Sequence, residues 1–162
     1  MLCRFAIAIV LIGSLPIPAF ARANSQEIQG AKRVDINNEM SIAIPADATL
    51  SRDPKAYPDH TLYFVSQADA KIVTVTFSML PPRSVDRPPS LWIGNCPAMI
   101  MPFLKPADGS KIILVEYQQA PWGRRNVRFS YENLSREKAA LAEQIIASLQ
   151  FSDASACPAV SR

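Results

Sequence analysis

"KIILVEYQQAPWGRRNVRFSYENLSREKAALAEQIIASLQF" runs from Lys111 to Phe151 and contains a complete hairpin-then-helix pattern. "KIILVEYQQ" (Lys111 to Gln119) and "RNVRFSYENL" (Arg125 to Leu134) are rich in β-branched and aromatic residues, as strands are. "APWGR" between them supplies the Pro and Gly that a hairpin loop uses. Ser135 then has the hydroxyl of a helix N-cap, and Glu137 lies in the first turn, where the helix dipole favours an anion. In "REKAALAEQIIASL", Leu141, Ile145 and Leu149 recur every four residues with Ile146 beside them, which predicts an amphipathic helix with one apolar face. Strands followed by one helix predict an α+β fold: an antiparallel sheet with one long C-terminal amphipathic helix packed on a face.

Upstream, "MSIAIP" (Met40 to Pro45) alternates with period two and stops at a proline, so it reads as a short strand. Residues 46–59 hold Pro54 and Pro58 among scattered charges and read as an irregular connection. "TLYFVSQADAKIVTVTFSML" reads as two strands about a turn at Gln67 to Lys71. Leu62, Phe64, Val73, Val75 and Phe77 are the expected inward residues. "PPRSVDRPPS" (Pro81 to Ser90) has four prolines in ten residues. It reads as an exposed, partly polyproline II connection. The apolar run Ala98 to Leu104 is interrupted by Pro102 and reads as an edge or irregular strand. "PADGS" marks a turn before Lys111.

The N-terminus addresses the chain to a compartment. A short basic start at Arg4, the apolar run "FAIAIVLIGSL" (Phe5 to Leu15) and the small residues of "AFA" are the parts of a cleavable secretory signal. Cleavage is expected after Ala21, or after Ala23 in "ARA". The apolar run is too short for a bilayer-spanning helix, which needs about 20 apolar residues. The expected organisation is a signal peptide at 1–21, a flexible lead at 22–32, a single domain at 33–157 and a tail at 158–162. Removing 1–21 takes away one charge, Arg4, and lowers the formal charge from +3 to +2. So small an excess gives no reason to expect a nucleic-acid partner. The expected location is the periplasm or the secreted space, with no membrane span after signal removal.

Cleavage leaves Cys96 and Cys157 from three cysteines. An even pair in an exported chain is read most simply as a disulfide. The competing readings of Cys96 in "LWIGNCPAMIM" are a nucleophile, a metal ligand and core packing. A cysteine enzyme needs a base, and His60 is the sole histidine, with no local arrangement bringing it to a thiol. There is no G-x-S-x-G elbow, no phosphate-cradling glycine loop and no C-x-x-C or H-x-x-x-H spacing. The carboxylates are dispersed, without the clustering that calcium or magnesium needs. No catalytic residue, metal or cofactor is therefore expected.

The remaining chemistry lies in "PWGRRNVR". Trp122 sits in the hairpin loop, followed by Arg124, Arg125 and Arg128; with period two, Arg124, Asn126 and Arg128 share a face. An aromatic beside guanidiniums can grip an anion or anchor a protein partner. The plainer alternative is an edge or solvent-facing strand that carries charge against aggregation. In "PPRSVDRPPSLW", Trp92 is either a second anchor or a core residue beside Cys96.

"MSIAIPADATLSRDP" together with "RFSYENLSREKAALAEQIIASLQF" resembles the PsbP/Mog1-like superfamily of small α/β proteins. Its members share an early strand running into a proline and a late helix of the form seen here. The resemblance covers about a third of the mature chain. It implies a small exported fold with accessory or immunity-like roles, and transfers no functional residue. The combined expectation is a non-catalytic exported domain that binds another envelope or secreted protein through the Trp122–arginine hairpin. The alternative is a binder of a small anionic ligand in a cleft between sheet and helix.

Overall fold

The computed structural model describes residues 28–54, 60–78, 91–93, 96–100, 109–119 and 123–157. Along the chain run β1 (Ala31–Asn37), β2 (Met40–Pro45), β3 (Thr49–Arg52), β4 (His60–Gln67), β5 (Ala70–Ser78), β6 (Leu91–Ile93) and β7 (Cys96–Ile100). There follow β8 (Lys111–Gln119), β9 (Gly123–Tyr131), α1 (Arg136–Ala147), β10 (Gln150–Phe151) and a 3₁₀ turn at Ala154–Ala156. Seven strands form one antiparallel sheet in the order β3-β4-β5-β9-β8-β7-β6, and three form a second in the order β1-β2-β10.

This corrects the fold class. The chain is mostly β, with two antiparallel sheets and, among the described residues, a single helix of twelve residues. It is not an α+β fold built on a long C-terminal helix. The helix starts as expected, with the Ser135 hydroxyl accepting from the Lys138 N–H. It ends early because Ser148 turns its hydroxyl to other uses. That Oγ donates to Ile145 O at 2.6 Å and accepts the Ala43 N–H of β2 at 2.8 Å. A hydroxyl that bonds back to its own turn competes with helix propagation. Beyond it Leu149 is buried, and Gln150–Phe151 go extended to pair with Ser41 and Met40.

Other strand expectations change for similar reasons. Thr49–Arg52 lies within the stretch read as irregular; it is short and polar because it is an edge strand with little to bury. The described part of the run read as an edge or irregular strand, Ala98 to Ile100, belongs to β7, which starts at Cys96 and lies between β6 and β8, so it is interior. Ala31 and Lys32, read as the end of a flexible lead, belong to β1. On β4 the inward face is Tyr63 and Val65, not Leu62 and Phe64. The register sets Tyr63 opposite Val75 and Val65 opposite Val73, both buried, whereas Phe64 faces Thr74. The expected signal peptide, the 81–90 connection and the 158–162 tail lie outside the described residues.

Turn chemistry explains the registers. Asn37 accepts the N–H groups of Glu39 and Met40 on its own Oδ1, closing the β1–β2 hairpin as an Asx turn. Ala68 and Asp69 both have positive φ, 48° and 61°, which is the type I′ arrangement of a two-residue hairpin. Gly109, at φ 80°, abuts the Leu134 backbone so closely that a Cβ would collide with the Leu134 carbonyl. The Leu134 N–H donates to Gly109 O at 3.0 Å, joining the entry of β8 to the exit of β9.

The large sheet has one covered face. One residue row across it is Thr61–Phe77–Val127–Val115–Ala98–Leu91, and the next contains Val75–Phe129–Ile113. Val127, Val115, Val75 and Phe129 are fully buried. Over this face lie Ile42 and Ile44 of β2 and Ala142, Ile145 and Ile146 of α1, in one continuous core. Tyr117 of β8 meets Phe151 of β10 with ring centroids 5.3 Å apart, tying the two sheets. Burying this many aliphatic and aromatic side chains supplies the main driving force of folding, at about 25 cal/mol per Å² of apolar surface.

Cys96 and Cys157 form a disulfide bond with Cα atoms 4.6 Å apart. It fastens the chain beyond the 3₁₀ turn to β7 on the covered face. Among the described residues, no helix is long and apolar enough to cross a membrane.

Candidate functional site

The sequence places its polar and aromatic residues of interest around β9, and the topology gives that strand a new meaning. β9 is the central strand of seven, with β5 on one side and β8 on the other. Charges on it therefore guard no sheet edge.

Alternation along β9 divides its side chains sharply. Val127 and Phe129 are buried in the core, while Arg128 between them is exposed on the opposite, outer face. The register continues this outer row through five strands as Leu62–Thr76–Arg128–Leu114–Met99. All four neighbours are partly exposed. Arg128 is thus a guanidinium set in the middle of an apolar and hydroxyl-bearing strip. Its planar fork of N–H donors suits a carboxylate, and its aliphatic stem can cover Leu114 and Thr76. Beside this row, Phe64 lies opposite Thr74 with the Lys71 ammonium 3.5 Å from its ring centroid. That is cation–π distance.

Trp92 joins the same face. It pairs with Pro97, while its neighbour Ile93 pairs with Cys96; Ile93 and Cys96 are buried and Trp92 is partly exposed. Of the two readings of Trp92, packing beside the disulfide is set aside, because alternation turns the indole away from Cys96. The signal was available in "LWIGNC": if Ile93 and Cys96 close a hairpin inward, Trp92 must face out.

Of the four residues singled out around the hairpin, Arg125 and Arg128 lie on opposite faces of the sheet. Arg128 is on the outer face. Arg124 occupies the register position opposite Gln118, and its side chain lies outside the described residues, as does all of Trp122. Arg125 pairs with Tyr117 on the covered side. There its positive charge partly offsets the effects of burial and of the nearby Glu39, which together push the Tyr117 hydroxyl up to about 12. Arg125 therefore belongs to the rim of the core. Asn126, opposite Glu116, is the neighbour of Arg128 along the outer side of β9.

A second polar group sits where α1 meets the sheet. Glu143 Oε1 accepts from Lys111 Nζ and, at 2.8 Å, from the Tyr131 hydroxyl. Burial alone would raise the Glu143 carboxyl, but the hydrogen bonds from Lys111 and Tyr131 outweigh it and hold it below its ordinary range. Burial, then the bond to Glu143, raises the Tyr131 hydroxyl. This cluster joins one carboxylate to one ammonium and one phenol, and it clamps the helix to β8 and β9.

With its sulfur in a disulfide, Cys96 has no thiolate to offer as a nucleophile or ligand. His60 opens β4 opposite Ser78, and its side chain lies outside the described residues. Among the described residues, no three His, Cys, Asp or Glu side chains come together as a metal site would require. Comparison with protein-family models, with curated proteins and with solved structures finds no match for this chain.

Proposed function

We propose that this chain is a non-catalytic, exported binding domain that docks another envelope or secreted protein on the outer face of its large sheet. Export to the periplasm or beyond is supported by the signal-like start at residues 1–21 and by the Cys96–Cys157 bond, a crosslink at home in oxidising compartments. The accessory or immunity-like role belongs to the same proposal, as does kinship with the PsbP-like superfamily. That kinship is carried by the strand Met40–Pro45 and the helix after Ser135.

One observation carries the binding reading: Arg128 is exposed at the centre of an outer row of Leu62, Thr76, Leu114 and Met99, on a strand that is not an edge. Arginine and tryptophan are the side chains on which protein interfaces most often rely, and Trp92 lies on the same face. A contact centred here buries the aliphatic strip and pairs the guanidinium with a partner carboxylate, worth up to several kcal/mol at an interface.

The test is affinity capture from the native compartment with wild type, Arg128→Glu and Trp92→Ala, each checked for an unchanged melting curve. Capture of one discrete protein by wild type, reduced at least tenfold in both variants, is the expected result. Equal capture by all three, or no specific capture, removes this surface from consideration.

A further inference from the structure

We propose that two copies of this chain associate edge to edge through β1, antiparallel about a two-fold axis at Val34. This contact is separate from the outer face of the large sheet. β1 ends the three-stranded sheet, with β2 as its one neighbour among the described strands. It is seven residues long, whereas the edges of the large sheet, β3 and β6, have four and three. A long edge strand presents a row of backbone N–H and C=O groups that another strand can pair with.

The charges on β1 select which strand. Arg33 and Asp35 are both exposed and flank Val34 on one side of the ribbon. Antiparallel pairing about Val34 sets Arg33 of each copy opposite Asp35 of the other, twice over. Opposite charges directly across an antiparallel pair stabilise it, and like charges destabilise it. Centring the axis on Arg33 or Asp35 instead sets like charges face to face. The same residues thus discourage indiscriminate edge pairing and favour a single register with a second copy.

Arg33 already donates through Nη1 to Ser41 Oγ at 3.3 Å and to Ser148 O at 3.2 Å. These bonds draw the guanidinium over β2, so pairing with the second copy's Asp35 exchanges them for a charge-assisted contact at the free edge of β1. Lys32 is drawn aside to Ala46 O at 2.8 Å. The register shift between Asp35 and Asn37 ends the regular stretch, so the paired segment is short and the association weak and reversible.

Sedimentation and light scattering of the purified, disulfide-intact chain across the micromolar range test this directly. Wild type is expected to approach twice the monomer mass as concentration rises. Arg33→Asp and Asp35→Arg are each expected to stay monomeric, while an equimolar mixture of the two recovers the dimer mass. Asp35→Arg leaves the Arg33 bonds to Ser41 and Ser148 in place, so loss of the dimer there is independent of any effect of Arg33 on folding. Wild type monomeric throughout, or a dimer indifferent to Asp35→Arg, overturns the proposal.

Discussion

Ser148 is the residue on which the C-terminal half turns. Its hydroxyl accepts the Ala43 N–H, its carbonyl accepts from Arg33, and its own N–H closes the last turn of α1. Removing that hydroxyl leaves a β2 amide without its acceptor, so Ser148→Ala is expected to cost about 1–3 kcal/mol in a denaturant titration. Glu143 acts differently, through charge. Its folded pKa lies below the unfolded value, so its contribution is present above the unfolded pKa and is lost as pH falls through the folded one. Glu143 is substantially exposed, so Glu143→Gln is expected to cost no more than about 1 kcal/mol at neutral pH. The gap between variant and wild type should narrow as pH falls below the ordinary glutamate range, as midpoints measured at several pH values would show. Tyr117 has the opposite sign. Its folded pKa, near 12, exceeds the ordinary 10, so its contribution holds below pH 10 and is lost as pH rises toward 12. None of these three roles was legible in advance: "ASLQF", for one, reads as the end of a helix, and nothing in it announces that Ser148 bonds across to β2.

Among the elements, the β4–β5 hairpin is built against its sequence. Ala68 and Asp69 both adopt the left-handed region, where Asn-Gly is the usual pair. Ala68→Asn with Asp69→Gly is expected to stabilise by about 1 kcal/mol, raising the melting temperature by a few degrees. Elements with strong local patterns were readable: the β8–β9 hairpin, the start of α1 at Ser135, and β5, whose Val73 and Val75 point inward. β3, β6 and β10 were not, because strands of four, three and two residues hold too few alternations to show a period. β4 has an apolar residue on either face: Leu62 and Phe64 alternate as well as Tyr63 and Val65. The pairing with β5, which no local pattern specifies, decides between them.

For the whole molecule, the decisive feature is the order of strands, which puts β9 in the centre and β1 at the end of a separate sheet. The sequence cannot show this, because the pairs β5–β9 and β2–β10 join segments far apart in the chain. The α+β expectation failed partly for that reason, since pairing makes two sheets where one was assumed, and partly because α1 stops after twelve residues in a mostly β chain. The disulfide was legible, since its logic needs only a compartment and an even number of cysteines. Cys96 and Cys157 are 61 residues apart. Replacing both by alanine is expected to cost roughly 4 kcal/mol by the chain-entropy argument, measured as a fall in the denaturant midpoint. The candidate site was half legible: Arg128 and the alternation around it were visible in "RRNVRFS", whereas the apolar row across four other strands was not. The central claim, that this outer row is the working surface, is tested most directly by site-specific photo-crosslinking in the native compartment. Probes at Arg128, Leu114 and Thr76 on the outer face are compared with probes at the exposed Asp69 and Ala140. The account predicts one shared crosslinked protein from the first three positions and none from the other two. The same product from all five, or from none, contradicts it.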